Sequence, residues 1–141
     1  KGIKGGAKRQ VGYVKRSFIT SGETSVDKYK IFFTTSYSTN ATIPPEVIIA
    51  DRQCVCTETF LVIGPFETKE EQLNCNLYIH TNFFRFLLYY GKGTMQVNKE
   101  VFSLIPLQDF SHPWTDEMLY KKYGLTDEEI AFIESMIRPM E

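Results

Sequence analysis

The sequence predicts an α+β fold, in which a small mixed or antiparallel sheet is covered by helices and followed by a C-terminal helical hairpin. Short apolar runs rich in β-branched and aromatic residues occupy the first half of the chain. Two Thr-x-x-Glu capping boxes, beginning at Thr68 and Thr126, each precede a stretch with helical periodicity. The length of 141 residues is typical of one globular domain with its own core.

The predicted strands lie before Gly64, and each is bounded by turn or polar residues. They are Val11–Thr20, Tyr29–Phe33, Val47–Ala50 and Cys56–Ile63. Because Phe60–Ile63 is apolar at every position, we expect the last strand to be covered on both faces and to lie in the centre of the sheet. Glu58, near the start of that strand, is expected to be a paired structural charge.

The next segment is predicted to be helical from the Thr68 cap. The helix either continues through Asn76–Tyr90 or breaks near His80, where Thr81 caps a second helix. Asn82 and Arg85 are expected to face away from the core. One stripe of the segment has the spacing of a buried helix face. Its members are Leu77, Phe84 and Leu88.

A glycine turn and one more strand are predicted after this helix. Gly91 and Gly93 end the helix, since glycine accepts the left-handed backbone that follows a helix. Val101–Ile105 is apolar enough for a strand, and Pro106 stops it.

The C-terminal part is predicted to be two capped helices. Thr115 caps a helix over Asp116–Tyr123 that Gly124 ends, and the Thr126 box begins a second helix. We therefore expect an α+β domain over residues 1–110 and a helical hairpin over residues 111–141, anchored by Trp114. The acidic second helix argues against a DNA-reading helix-turn-helix, since it has the wrong charge for a groove.

Charge is unevenly distributed along the chain although the net charge is −1. Residues 1–52 contain nine Lys and Arg against four Asp and Glu, whereas residues 108–141 contain three against eight. A basic N-terminal third attracts phosphates and an acidic C-terminus is repelled by them. If nucleic acid binds, we expect it on the N-terminal side, with phosphate contacts from Lys4, Lys8, Arg9, Lys15 and Arg16.

A polar and almost uncharged loop follows the second predicted strand. Hydroxyl and amide groups bond to phosphates and to base edges, so this loop is a candidate for sequence recognition. The candidate residues are Thr34, Thr35, Ser36, Tyr37, Ser38 and Asn40, with Lys92 in a second loop. The alternative interpretation of this loop is an ordinary surface loop. The alternative interpretation of the basic segment over residues 1–10 is a solvated N-terminal end.

The sequence offers no catalytic or metal site. It lacks a glycine-rich phosphate loop, a G-x-S-x-G elbow, H-E-x-x-H and the P-D…(D/E)-x-K nuclease pattern. Three cysteines, Cys54, Cys56 and Cys75, are an odd number without zinc-knuckle spacing, so we expect reduced structural thiols. No apolar run reaches the roughly 20 residues that span a bilayer, and we expect a cytoplasmic protein without a membrane partner.

The second two-thirds of the chain resembles the C-terminal target-recognition domain of bacterial restriction-modification adenine methyltransferases, and also the recognition domains of specificity subunits. The residues that carry the resemblance are FFRFLL at 83–88, the run Q-V-N-K-x-V-F-x-x-I-P-L-Q-D-F at 96–110, Trp114, LYKKYGLT at 119–126 and EEIAFIESMI at 128–137, with a weaker similarity in TETFLVIGPF at 57–66.

The resemblance implies double-stranded DNA as a partner and a catalytic methyltransferase domain elsewhere in a longer parent chain. That catalytic part would bind S-adenosylmethionine, and restriction-modification systems also include endonucleases. The methylase Asn/Asp-Pro-Pro-aromatic motif is replaced here by Thr42-Ile-Pro-Pro-Glu46, and the cofactor-binding glycine motif is absent, so this piece is not expected to methylate. The first residue, Lys1, also suggests a piece of a longer protein. The alternative is a docking or scaffold domain without DNA contact. A further alternative is an independent small enzyme, but the sequence contains no nucleophile–base pair or carboxylate pair that supports it.

Overall fold

The computed structural model describes residues 11–35, 47–91, 97 and 99–137. Within these residues it contains a three-stranded antiparallel sheet and five α-helices, which confirms the α+β class. The strands are β1 (Tyr29–Thr34), β2 (Val47–Ala50) and β3 (Phe60–Phe66). The helices are α1 (Lys69–Ile79), α2 (Asn82–Gly91), α3 (Lys99–Phe102), α4 (Asp116–Tyr123) and α5 (Asp127–Met136).

The central strand of the sheet is β1, because the strand order is β2-β1-β3. The prediction that Cys56–Ile63 forms the central strand is therefore wrong for the sheet that the structure describes. Its strand begins only at Phe60 and lies at one edge. Leu61 and Ile63 pack against the core, but Val62 between them is 45% exposed. An unbroken apolar run thus does not require cover on both faces.

Both faces of β1 are buried. Ile31 and Phe33 are completely buried in the core that the helices share, and the Phe33 ring meets that of Phe102 at 5.4 Å. Lys30 and Phe32 on the opposite face are buried as well. The Lys30 ammonium donates to three backbone carbonyl oxygens, and desolvation by burial lowers the pKa of this group. These acceptors belong to Val26, Lys28 and Asp51.

The predicted helix starts are confirmed. Thr68 and Thr126 each form a reciprocal capping box with the Glu three residues later, and the Thr115 hydroxyl accepts from the N–H of Met118. The Thr81 hydroxyl accepts from the N–H of Phe84 and so caps α2. Gly124 follows α4 with φ 65°, in the left-handed conformation expected of a helix C-terminus.

The break before α2 changes which residues are buried. The stripe predicted from Leu77 assumed continuous helical phase, but α1 ends at Ile79 and α2 begins at Asn82. Leu77 is consequently 51% exposed. Arg85, expected to face away from the core, is instead 3% exposed, and it donates to the Asn82 side chain at 3.2 Å.

Two predicted strands are absent from the described structure. Residues 11–20 form no sheet pairing and include only a short 3-10 turn at Arg16–Phe18. Val101–Ile105 is likewise not a strand, since α3 ends at Phe102 and a turn follows. Val101 packs against Gly91, where an added Cβ would lie 3.1 Å from its Cγ1 atom, so the absence of a side chain at Gly91 makes room for this short helix.

The C-terminal hairpin is joined to α2 by the side chain of Asp116. Its two carboxylate oxygens accept from the backbone N–H groups of Asn82 and Phe83, at 3.0 and 2.8 Å. With the Thr81 cap, the first three N–H groups of α2 are therefore satisfied. Leu119 and Ile133 from the hairpin belong to the same core cluster as β1.

Trp114 and Gln108 fix the segment that precedes the hairpin. The Trp114 indole N–H donates to the Asp109 carbonyl at 2.7 Å, and the Lys122 ammonium lies 4.3 Å from the Trp114 ring centroid. The buried Gln108 amide donates to the Tyr123 hydroxyl and accepts from Lys122. These bonds hold residues 108–114 against α4.

Replacing Asp116 by Ala is expected to lower the free energy of unfolding by about 1–2 kcal/mol, because two N–H groups at the start of α2 lose their acceptor. Asp127→Ala is the matched control, since Asp127 also follows a Thr cap as the first residue of its helix but accepts no bond from another element within the described residues. Its expected cost is only about 0.3–1 kcal/mol. Equal losses in urea unfolding would contradict the proposed cap.

Candidate nucleic-acid interface

One end of the sheet is rich in threonine hydroxyls. Thr34 ends β1 opposite Phe60, the first residue of β3. The N–H and hydroxyl of Thr35 both donate to the carbonyl of Thr59, at 3.3 and 3.0 Å. The hydroxyls of Thr57 and Thr59 lie 2.9 Å apart. We call these four threonines and the turn that follows Cys56 the threonine end of the sheet.

The turn at this end runs from Thr57 to Phe60 and presents Glu58. The N–H of Phe60 donates to the carbonyl of Thr57 at 3.2 Å, which closes the turn. Glu58 is exposed, and the ion pair expected from the sequence is not found among the described residues. The turn is therefore held by backbone and threonine groups rather than by this carboxylate.

A third segment of the chain meets the same end. The N–H of Val97 donates to the carbonyl of Thr35 at 2.7 Å, and the exposed Lys99 follows two residues later. Residues 36–46 connect Thr35 to Val47, which pairs with Phe33 across the sheet. The threonine end thus joins three stretches that are far apart in the sequence.

Several predicted site residues lie outside the described residues. They are Lys4, Lys8, Arg9, Ser36, Tyr37, Ser38, Asn40 and Lys92. Of the predicted site residues that are described, Thr34 and Thr35 lie together at the threonine end, whereas Lys15 and Arg16 lie in the segment before β1.

Arg16 is engaged by a carboxylate. Its two terminal nitrogens donate to the two oxygens of Asp27 at 3.1 and 2.7 Å. This hydrogen bonding lowers the pKa of Asp27 and raises that of Arg16. Since the guanidinium already has an anionic partner, a phosphate would have to compete with Asp27 for it.

Other cations near the start of β1 also have partners. Lys28 pairs with Glu67, Lys69 lies 3.5 Å from Asp51, and the guanidinium of Arg52 lies 4.9 Å from the ring centroid of Tyr29. The cations that the structure describes at this end of the sheet are therefore largely compensated.

The structure separates the two groups of predicted contacts that it describes. Asp27, the partner of Arg16, precedes β1, and Thr35 follows it. Six strand residues at about 3.3 Å each place roughly 20 Å between the two ends. Arg16 and Thr35 therefore do not form one compact contact site.

Thr57, Thr59 and Lys99 were not predicted from the sequence as site residues. Their grouping depends on the pairing of β1 with β3 and on the bond between Val97 and Thr35. The hydroxyls of Thr57 and Thr59, near the start of the predicted strand Cys56–Ile63, were a usable signal, because binding residues often lie on loops that a rigid scaffold positions.

Apolar side chains are exposed on a different part of the molecule. Leu77 on α1 is 51% exposed and Leu107 is 86% exposed. The Tyr78 hydroxyl donates to the Pro106 carbonyl at 2.8 Å, which places the segment containing Leu107 next to α1. We call Leu77 and Leu107 the leucine pair.

Among residues 11–35, 47–91, 97 and 99–137, no group of three or more His, Cys, Asp or Glu side chains is placed to hold a metal ion. Cys54 and Cys56 are half-buried and Cys75 is buried, all as free thiols. Burial raises the pKa of Cys75 to about 12, and burial also raises that of Cys56.

No protein-family model, curated protein or solved structure matches this chain. None of the helices in the described part has the length and apolar character needed to cross a bilayer.

The three thiols are expected to react with a disulfide reagent in two phases at pH 8. Cys54 and Cys56 should react with the native protein, whereas Cys75 should react only on unfolding, because its thiolate is disfavoured by burial. A Cys75→Ala variant should lose only the slow phase. Release of three equivalents in one fast phase would contradict the buried position of Cys75.

Proposed function

We propose that this chain is a non-catalytic DNA target-recognition domain of a restriction-modification adenine methyltransferase, and that it contacts duplex DNA with the threonine end of its sheet. The sequence resemblance supports the class of protein. The observation that carries the location is the convergence of Thr35, the Thr57–Phe60 turn and Val97 at one end of the sheet.

The chemistry of the threonine end suits a nucleic-acid surface. Hydroxyl groups donate to phosphate oxygens and bond to base edges, and they add no charge that would repel DNA. Lys99 supplies a positive charge two residues after Val97. Lys4, Lys8, Arg9 and Lys15 remain proposed phosphate contacts, and Arg16 contributes only if its bond to Asp27 is exchanged for a phosphate.

In this proposal the recognition domain holds the duplex in register while a separate catalytic domain methylates the target adenine. That domain would bind S-adenosylmethionine and take the adenine out of the base stack. Cofactor binding and methyl transfer are not assigned to any residue of this chain.

Binding to a random-sequence duplex, measured by fluorescence anisotropy across a salt series, tests the proposal. Lys99→Gln should lower affinity and reduce the slope of log K against log salt by about 0.9, the value for one lost phosphate contact. Arg16→Gln should leave the slope unchanged, because Asp27 occupies the guanidinium.

Lys121→Gln is the matched control, since Lys121 is also exposed and its loss changes the net charge equally, but it lies on α4. It should bind DNA as the unmodified chain does. Absence of binding at low salt, or equal effects of Lys99→Gln and Lys121→Gln, would contradict the proposed surface.

The leucine pair favours docking to a protein as a second candidate function. Leu77 is 51% exposed and Leu107 is 86% exposed, and exposed apolar side chains that form a contiguous patch mark protein interfaces. The partner would be the catalytic methyltransferase domain. Leu77→Ser combined with Leu107→Ser should then weaken association with that domain in calorimetric titration. An unchanged association would exclude this face.

A further inference from the structure

Glu58 is an unexpected residue for a surface that approaches phosphates. It lies between Thr57 and Thr59 in the turn that begins β3, and it is exposed. In the described part of the chain, no group donates a hydrogen bond to its carboxylate or forms an ion pair with it. Unlike the carboxylate of Asp27, the Glu58 carboxylate therefore compensates no described cation.

The bonds that the structure describes at this turn do not require a carboxylate at position 58. The turn is closed by the bond from the Phe60 N–H to the Thr57 carbonyl, and its edge is tied to β1 through Thr35 and Thr59. None of these bonds uses the Glu58 side chain. A neutral residue at position 58 would leave all of these bonds in place.

On a DNA-binding surface, an unpaired carboxylate carries a cost at every sequence. It repels the phosphate backbone and so weakens non-specific binding. It becomes favourable only where a hydrogen-bond donor of the DNA meets it. In the major groove these donors are the amino groups of cytosine and adenine.

Cytosine fits an acceptor-only group better than adenine does. Adenine presents its N7 acceptor beside the N6 amino group, and a carboxylate near N7 would be repelled. Cytosine presents the N4 amino group alone as its polar atom in the groove. A carboxylate therefore discriminates in favour of cytosine.

We infer that Glu58 is a specificity-determining residue that accepts a hydrogen bond from the N4 amino group of one cytosine in the target site. This inference rests on the proposed DNA-recognition function. The threonines on either side would hold the turn against the backbone while the carboxylate enters the groove.

Selection of bound sequences from a randomised duplex library tests the inference on the 141-residue chain. The unmodified chain should select a motif that contains a cytosine. Glu58→Ala should lose the preference at that position by roughly five-fold to 100-fold, the range for one good base contact. Glu58→Gln should shift the preference toward adenine, because an amide pairs with N6 and N7 together.

Affinity for random-sequence duplex should move in the opposite direction. Both Glu58 variants should bind it more tightly than the unmodified chain, since a repulsive charge is removed. Glu128→Gln is the matched control, because it removes an exposed carboxylate from the first turn of α5. It should leave the selected motif unchanged.

Failure of the inference about Glu58 and failure of the proposed function would give different results. If the unmodified chain selects a motif and both Glu58 variants select the same one, the role of Glu58 is overturned and the proposed function stands. If the unmodified chain neither binds duplex DNA nor enriches any sequence, the proposed function is overturned together with the inference.

Discussion

Burial of β1 is the constraint on which the rest of this structure depends. Its side chains are buried on both faces, and it pairs with β2 on one edge and β3 on the other. Ile31 and Phe33 cannot leave the shared core without exposing the apolar surface that holds the helices against the sheet. Because β1 is fixed in the core, the chain segments that precede and follow it lie at opposite ends of the sheet.

The two ends differ in chemistry because different parts of the chain enter and leave β1. The segment before β1 brings cations together with carboxylates, as in the pair of Arg16 and Asp27. At the other end, Thr35 after β1 and Thr57 and Thr59 before β3 bring hydroxyls, which bond to one another or to a backbone carbonyl. The described cations before β1 are thus largely compensated, whereas the described hydroxyls at the other end of the sheet add no charge.

Local features of the fold could be predicted from the sequence, because their causes are local. The caps at Thr68, Thr81, Thr115 and Thr126 depend on residues within one helical turn. The errors arose where a distant contact decides the outcome. Val101 becomes helical against Gly91, and Arg85 is buried where α2 meets the hairpin.

The candidate site could be predicted only in part for the same reason. Thr34 and Thr35 were selected from the composition of their loop. Their neighbours Thr59 and Val97 are brought to them by pairing across more than 20 and 60 residues of chain, respectively. The bond between Arg16 and Asp27 was equally invisible, since charge counts along a sequence do not show which ions pair.

The most direct test of this account is to map backbone amide chemical shifts by NMR as a short duplex of mixed sequence is added. The account predicts shifts at Thr35, Glu58 and Lys99, with the hairpin helices unaffected. Shifts confined to Asp27 or to α4 and α5, with none at the threonine end, would contradict the proposed DNA-binding surface.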